Sequence, residues 1–595
     1  MNTEQRYKQA TQLLQQGNFA QAEPLYREAL TQDPSFGEAW QQLALCHLNL
    51  GEIKQAELEA LTALKINNDD HIAMLILARA LLGQKRFASA ISLLEKLVKV
   101  HASDEHELHF AHALKESGEF QRAIEPFTRL LCKGSNISLL HENIAICYFK
   151  LGDYDQAKAH FQQELAVQRN PYSLCMLGFI AQKETRWNDA RQFYEQALAL
   201  QPDHDLTLDN LGGLYSHFQD YDQAIDCHPR AIALKPNTMG YRMNLGATYF
   251  ESNQLALAAE QFRFVAEHTP MAKNAHFNWS QILLLLEDFE QGWEEYNFRI
   301  AKVKMISEHP EINFSFSLPE ELQGKRLLLW AEQGIGDELL FMRFIPLLKQ
   351  RGATILCQCS EKIVPLVQRL SCIDMLVPKN QYVEADYHLI LGDCPMILHA
   401  YSSRQIPPPL PLHPLEKNLV SARESLARAG SPPYIGLTWR GGTSLLDQKL
   451  FTDMKAGYRE IGLEEFAAGI QPIAGTMIAL QRAPQDEELK QLEQMLGRPV
   501  LDLTALNDDL EEMLGVLHEI NQYIAVPNTN VYLRSSMQKT SQVLITTTPG
   551  FTWLAQGSTS FWYPHAQLHR KKLQEDWTQV FNEIRNECVS EAPHE

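Results

Sequence analysis

No stretch of the 595 residues is long and apolar enough to cross a bilayer, and Met1 to Ala10 is polar with no hydrophobic leader core. The expectation from that absence is a cytoplasmic protein with no transmembrane segment. Positive charge is scarce as well: 53 Lys and Arg stand against 73 Asp and Glu, a formal charge of −20, and no dense basic cluster reverses it locally. Such a surface repels phosphate backbones and anionic membranes, so no nucleic acid is expected as a partner, while an enclosed pocket for one nucleotide stays open. Cysteine is thin, ten residues scattered along the chain. Cys46, Cys147 and Cys175 fall on helix faces expected to be buried, which suits reduced thiols rather than a disulfide framework. Cys357-x-Cys359 has no His or Cys pair near it to complete a zinc site and reads as packed strand. An Asp-x-Asp metal motif in a strand-loop context is also missing; Asp508-Asp509 precedes an acidic helix and reads as its N-cap. No metal and no cofactor are expected.

What the chain does have is length and apolar content, 45% of its residues, enough for two or more packed domains. Small residues recur at Ala22, Ala56, Ala90, Ala123, Ala157, Ala190, Ala224, Ala258 and Gly292, a spacing of 34 or 33 throughout. Turns such as Gly17-Asn18-Phe19, Gly118-Glu119-Phe120 and Gly152-Asp153-Tyr154 precede them. A large residue follows four positions later in most units (Tyr26, Leu94, Phe127, Phe161, Tyr194, Phe262, Tyr296), on the same helix face. Proline closes several units at one register (Pro34, Pro202, Pro236, Pro270), where it stops the second helix. The pattern resembles the tetratricopeptide repeat, whose Leu-Gly pair survives at Leu177-Gly178, Leu211-Gly212 and Leu245-Gly246. It implies a superhelical all-α solenoid over residues 1–304, with about nine repeats and a concave groove suited to a protein or peptide partner. The alternative use of such an array is to position the following domain or to dimerise, which leaves a homo-oligomer open. The last unit places Trp279, Trp293, Tyr296 and Phe298 where small or polar residues are usual, as expected where a solenoid caps onto another domain.

Beyond about Pro310 the period changes to Pro- and Gly-punctuated aliphatic runs alternating with amphipathic stretches, the look of βα units. Lys325 to Trp330 reads as a buried strand, then a Gly334-x-Gly336 turn, Asp337, and a helix over Glu338 to Gln350. A second half begins near Pro433. Its expected strands are Tyr434 to Trp439, Thr476 to Leu480, Tyr523 to Val526 and Val543 to Ile545. Its expected helices are Leu463 to Ala468, Asp486 to Leu496 and Asp508 to Ile520. The Pro-rich Ser402 to Pro414 reads as a connection. The string from Trp330 through Gly334-Ile335-Gly336-Asp337 to Leu348 resembles the opening of heptosyltransferase-like glycosyltransferases that occur fused behind tetratricopeptide repeats. Ile435 to Gly442, Asp508 to Met513, Ile524 to Asn530, and Trp562-Tyr563-Pro564 with Asp576-Trp577 are similar to the same family, in the same order.

That resemblance implies a multidomain protein, the solenoid followed by an α/β GT-B domain of two Rossmann-like halves. The N-terminal half would span residues 311–401 and a connection 402–433, with a nucleotide-sugar-binding half over 434–588 and a tail over 589–595. It implies transfer of a sugar from a nucleotide-sugar donor, with Asp337 as the base on the acceptor; the other reading of Asp337 is the N-cap of the helix it enters. Gly334, Gly336, Trp439, Arg440, Gly441, Gly442, Thr529 and Asn530 would line the donor site: Arg440 neutralising the diphosphate, the glycines letting backbone approach it, and Thr529 and Asn530 opening a helix whose N-terminus binds it. Pro527 to Tyr532 departs from the family's Asp-Thr-Gly-like turn and has no His. Combined with the solenoid, the enzyme would glycosylate a recruited polypeptide, as O-linked N-acetylglucosamine transferases combine the same two parts. The competing expectations are a scaffold whose transferase domain has lost turnover, and an enzyme acting on a lipid-linked saccharide, which the acidic charge disfavours.

Overall fold

The computed structural model describes the chain except residues 1, 136, 270–271, 380, 442–459, 546–548, 573–574 and 591–595, and the side chains of 587–590. One compact unit spans Met1–Leu214 and a second spans Tyr215–Glu595. Among the described residues, helices from Thr3–Gln15 to Phe289–Tyr296 alternate as first and second members of nine successive pairs. The periodic small residues all lie on second helices; the eight alanines are fully buried, and Gly292 is buried too. Their size is demanded by contact. A Cβ on Gly292 would sit 2.7 Å from Leu284, and on the first helix of another repeat a Cβ on Gly178 would sit 2.6 Å from the Tyr194 ring.

The turn inside each pair shows something the glycine pattern only half revealed. Its hinge residue is left-handed in all nine: Gly17, Gly51, Gly118 and Gly152, but also Lys85, Thr185, Gln219, Asn253 and Glu287, with φ between 58° and 64° at those five. A β-branched residue fits this region worst, because its Cβ substituents crowd the backbone. Thr185→Gly is therefore expected to stabilise its repeat by about 1 kcal/mol, the relief of strain exceeding glycine's entropy cost. A urea midpoint that stays put or falls would show that Thr185 makes compensating contacts.

In the second unit the last pair, Lys273–Leu285 and Phe289–Tyr296, is followed by the Ile300–Glu308 helix and the α/β region. Trp293 is almost fully buried; its indole N–H donates to Ala400 O at 3.0 Å, and its ring meets those of Phe341, Phe551 and Trp562 edge-on at 5.8 to 6.4 Å. Trp293 and Tyr296, two of the aromatic substitutions of the last repeat, thus form its seam with the α/β region.

Two all-parallel sheets make up the rest. The first contains β1 (Arg326–Trp330), β2 (Thr354–Cys359), β3 (Met375–Pro378) and β4 (Tyr387–Ile390) in the order β3-β2-β1-β4. The second contains β5 (Tyr434–Thr438), β6 (Thr476–Ala479), β7 (Val500–Asp502), β8 (Gln522–Ala525), β9 (Ser541–Ile545) and β10 (Ala566–Arg570) in the order β10-β9-β8-β5-β6-β7. Read from β7, the second order is third, second, first, fourth, fifth, sixth, that of a doubly wound sheet. Cys357 and Cys359 are packed β2 residues, and among the described residues there are no disulfides and no clusters of His, Cys, Asp or Glu able to hold a metal. No described helix is long and apolar enough to cross a membrane.

Three expectations need correction. The helix foreseen over Glu338 to Gln350 is two, Ile335–Met342 and Ile345–Gln350, separated around the buried Arg343. Pro346 at the second helical position fits a helix start, not an interior. The connection foreseen over 402–433 contains the helix Glu416–Ala429, which packs on Leu510–Glu519 so closely that a Cβ on Gly515 would lie 2.6 Å from Asn418 O. Finally, β3, β4, β7 and β10 went unread. They are the edges of the two sheets, β7 only three residues long and β10 carrying Gln567, His569 and Arg570.

Candidate functional site

Parallel doubly wound sheets bind ligands at the carboxyl ends of the strands where the order reverses. In the second sheet that point lies between β5 and β8. The loops leaving these strands carry Trp439 to Gly441 and Pro527 to Thr529. In the first sheet it lies between β1 and β4, whose loops carry Ala331 to Gly336 and Leu391 to Asp393.

The turn after β1 caps the Ile335–Met342 helix with Gly334, which has extended backbone and makes no side-chain cap. Asp337 is therefore not the N-cap. It is the third residue of the helix, half-buried, with its N–H donating to Gly334 O at 3.0 Å, where negative charge is favoured by the helix dipole. Neither glycine is demanded by the protein's own packing. A Cβ on Gly334 would meet only Asp337 Oδ2, at 3.9 Å, and one on Gly336 only Thr529 Oγ1, at 3.6 Å. That second contact brings the turn after β1 against the turn after β8. Just behind it, the Tyr532 hydroxyl donates to Leu339 O, joining the helices that the two turns begin.

Tyr296 and Tyr563 lie near enough to Asp337 to feel its charge. Burial pushes both phenols well above their usual 10, and the Asp337 charge adds to the shift. Both stay neutral donors at physiological pH. Arg343, fully buried, donates to Leu340 O and Pro407 O and faces the rings of Tyr532, Trp562 and Tyr563 at 5.6 to 5.9 Å. Its field opposes the upward shift of Tyr563.

The second half holds its candidates differently. Arg440 is almost buried, and its guanidinium is closed on Glu488 in a bidentate pair at 2.9 and 3.1 Å, with a further bond to Ala483 O. The Trp439 indole donates to the same carboxylate at 2.7 Å, and both backbone N–H groups go to Gln481 Oε1. A buried guanidinium needs a carboxylate, and Glu488 supplies it from the same half. Arg440 and Trp439 thus brace the loop after β5 through Glu488 and Gln481. Gly441 is buried beside them, and Gly442 lies outside the described residues.

Thr529 opens the Thr529–Ser536 helix, with Asn530 next and buried. The cap is Asn528, whose Oδ1 accepts from the N–H of Asn530 and of Val531 at 2.8 and 3.3 Å, and also from the Tyr523 hydroxyl. Two N–H groups of this helix end are thus already engaged. Asp509 caps Leu510–Glu519, as the sequence suggested, while Asp508 pairs with Lys362.

Sequence reasoning missed Tyr296, Arg299, Glu332, Arg343, Asp393 and Glu488 as site neighbours. Glu332 and Arg343 stood inside the string from Trp330 to Leu348, and Tyr296 among the aromatics of the last repeat, so these three had a visible signal. The others depend on partners far along the chain.

Among the comparisons with known proteins, the family matches fall in the first half of the chain. Tetratricopeptide repeat profiles match residues 13–74, 171–237, and 72–103 with 143–163. The chain is 21% identical to Protein FlbA of Caulobacter vibrioides over 558 residues, 81% of this chain and 90% of that one. It is 23% identical to Tetratricopeptide repeat protein 6 of Homo sapiens over 233 residues, 38% of this chain and 44% of that one. Among solved structures it is similar to the APC/C hetero-tetramer Cut9-Hcn1, at 19% identity and a TM-score of 0.35, covering 46% of this chain and 55% of that one. The chain carries tetratricopeptide repeats. They form an all-α solenoid over about the first 300 residues, followed by a region of parallel sheets.

Proposed function

We propose that the two parallel-sheet regions form a glycosyltransferase of GT-B type that moves a sugar from a nucleotide-sugar donor to a polypeptide recruited by the repeats. The observation that carries the reading is the approach of Gly336 to Thr529 Oγ1, which sets the carboxyl-end turns of one sheet against those of the other. A transferase of this class needs such facing edges: one offers a base to the acceptor, the other N–H groups to the departing diphosphate. Asp337 takes the acceptor's proton as the acceptor oxygen bonds to the sugar carbon and the diphosphate leaves with the bonding electrons. The diphosphate lies against the first turn of Thr529–Ser536 and the backbone at Gly441. The room beside Gly334, where a Cβ would meet only Asp337 Oδ2, suits the approach of a bound substrate.

A second reading, a repeat scaffold whose transferase region has lost turnover, is favoured by the closure of Arg440 on Glu488 and of Asn528 on its helix end. Incubating the full chain with a panel of nucleotide-sugars and following nucleoside diphosphate release separates the two. Release from one donor above the protein-free rate is expected. No release from any donor, with the protein folded, supports the scaffold.

A further inference from the structure

We infer that the end of the solenoid holds the candidate catalytic turn in place, with Tyr296 and Arg299 as positioning residues for Asp337; this rests on the reading of Asp337 as the base. Both lie where the Phe289–Tyr296 helix ends and the next begins. The Tyr296 hydroxyl and the Gln333 side chain hydrogen-bond at 3.0 Å. One residue earlier, Glu332 accepts from Arg299 Nε at 2.7 Å and lies 2.5 Å from its Nη2. Two consecutive residues immediately before Gly334 are therefore tied to one helix end.

The same helix end also grips the opposite wall. Arg299 Nη2 lies 2.7 Å from Asp393 Oδ1 as an ion pair, and Lys302 Nζ donates to Asp393 Oδ2 at 2.7 Å. Asp393 follows β4, so the cluster spans the switch point of the first sheet. All four charged side chains are at most 5% exposed. Taking them out of water is costly and is repaid only while the geometry is kept, so the cluster admits few alternative arrangements. Gly392 leaves the room it needs, since a Cβ there would fall 2.5 Å from Glu332 Oε1 and 2.9 Å from Arg299 Nη2. The Arg299 guanidinium also stacks over the Tyr296 ring at 4.8 Å, which joins the two ties into one.

A turn held at both residues before its glycines keeps Asp337 at a fixed distance from the acceptor, and misplacement by about 1 Å costs a rate factor on the order of 100. The test is amide hydrogen exchange on the full-length Tyr296→Phe, Arg299→Lys and Arg299→Met variants, read on peptides covering 331–337 and 391–394, alongside kcat and KM for the donor. Tyr296→Phe keeps the ring and removes one hydroxyl; it is expected to speed exchange of 331–337 roughly tenfold and lower kcat by a similar factor with KM unchanged. Arg299→Lys retains part of the protection that Arg299→Met loses. If Arg299→Met does not fold, the other two variants decide. Unchanged exchange at 331–337 in both overturns the inference. If the wild-type protein has no turnover, the functional reading fails, while the exchange result still decides whether the solenoid holds the turn.

Discussion

Asp337→Asn is expected to lower turnover by about a thousandfold while leaving donor affinity within about twofold of wild type, the loss typical of removing a positioned general base. The change is nearly isosteric. An amide in the third position of Ile335–Met342 keeps the side-chain shape and gives up a favourable charge near the helix N-terminus, about 0.5 kcal/mol. Folding therefore survives, and any rate loss reports chemistry. Because the base acts on the acceptor while the donor is held by the opposite sheet, kcat should fall and donor binding should not. Unchanged turnover removes Asp337 from the mechanism. A matched loss of donor binding would instead place Asp337 on the donor.

Glu488→Gln has the largest expected effect on stability. Glu488 accepts from Arg440, the Trp439 indole and the Gln485 N–H, all within the half that carries β5 to β10. Replacing the carboxylate by an amide strands a buried guanidinium, at a cost of about 3 kcal/mol at neutral pH. Burial pushes the Glu488 carboxyl up, but the bonds from Arg440, Trp439 and Gln485 outweigh it and hold the group below its ordinary 4.5. A lowered folded value means that the stabilisation is complete above about 4.5 and is lost as pH falls through that lower value. The gap between wild type and Glu488→Gln should thus be widest at neutral pH and shrink in acid, as read by urea unfolding at about pH 7 and about pH 3.5. A gap independent of pH would mean that Glu488 acts by packing alone. Replacing Arg440 and Glu488 together by methionine should recover most of the loss, because no charge is then left unpaired.

These residues also mark how far the sequence could be read. The repeat was legible because each pair obeys the same local rule, a small residue where helices touch and a large one four positions on. Ala22 and Tyr26, or Ala190 and Tyr194, are buried together as that rule requires. The left-handed hinges at Lys85, Thr185, Gln219, Asn253 and Glu287 were hidden because side chains there carry no mark of φ. In the α/β region, β5, β8 and β9 announced themselves as aliphatic runs, whereas the edges β7 and β10 did not. The Gly334-Ile335-Gly336-Asp337 turn was visible as a motif. The orientation of Arg440 was not, because it depends on a carboxylate brought in by the fold. Glycine-rich loops are easier to find than the direction in which a neighbouring arginine points.

The most direct test of the account is calorimetric titration of the full-length protein with UDP, GDP, CDP and ADP and their sugar conjugates. The account predicts saturable one-to-one binding of one diphosphate, with a Kd on the order of micromolar, and tighter binding of one of its sugar conjugates. No heat with any member of the panel, from protein shown to be folded, would contradict it and leave the parallel sheets as part of a repeat scaffold.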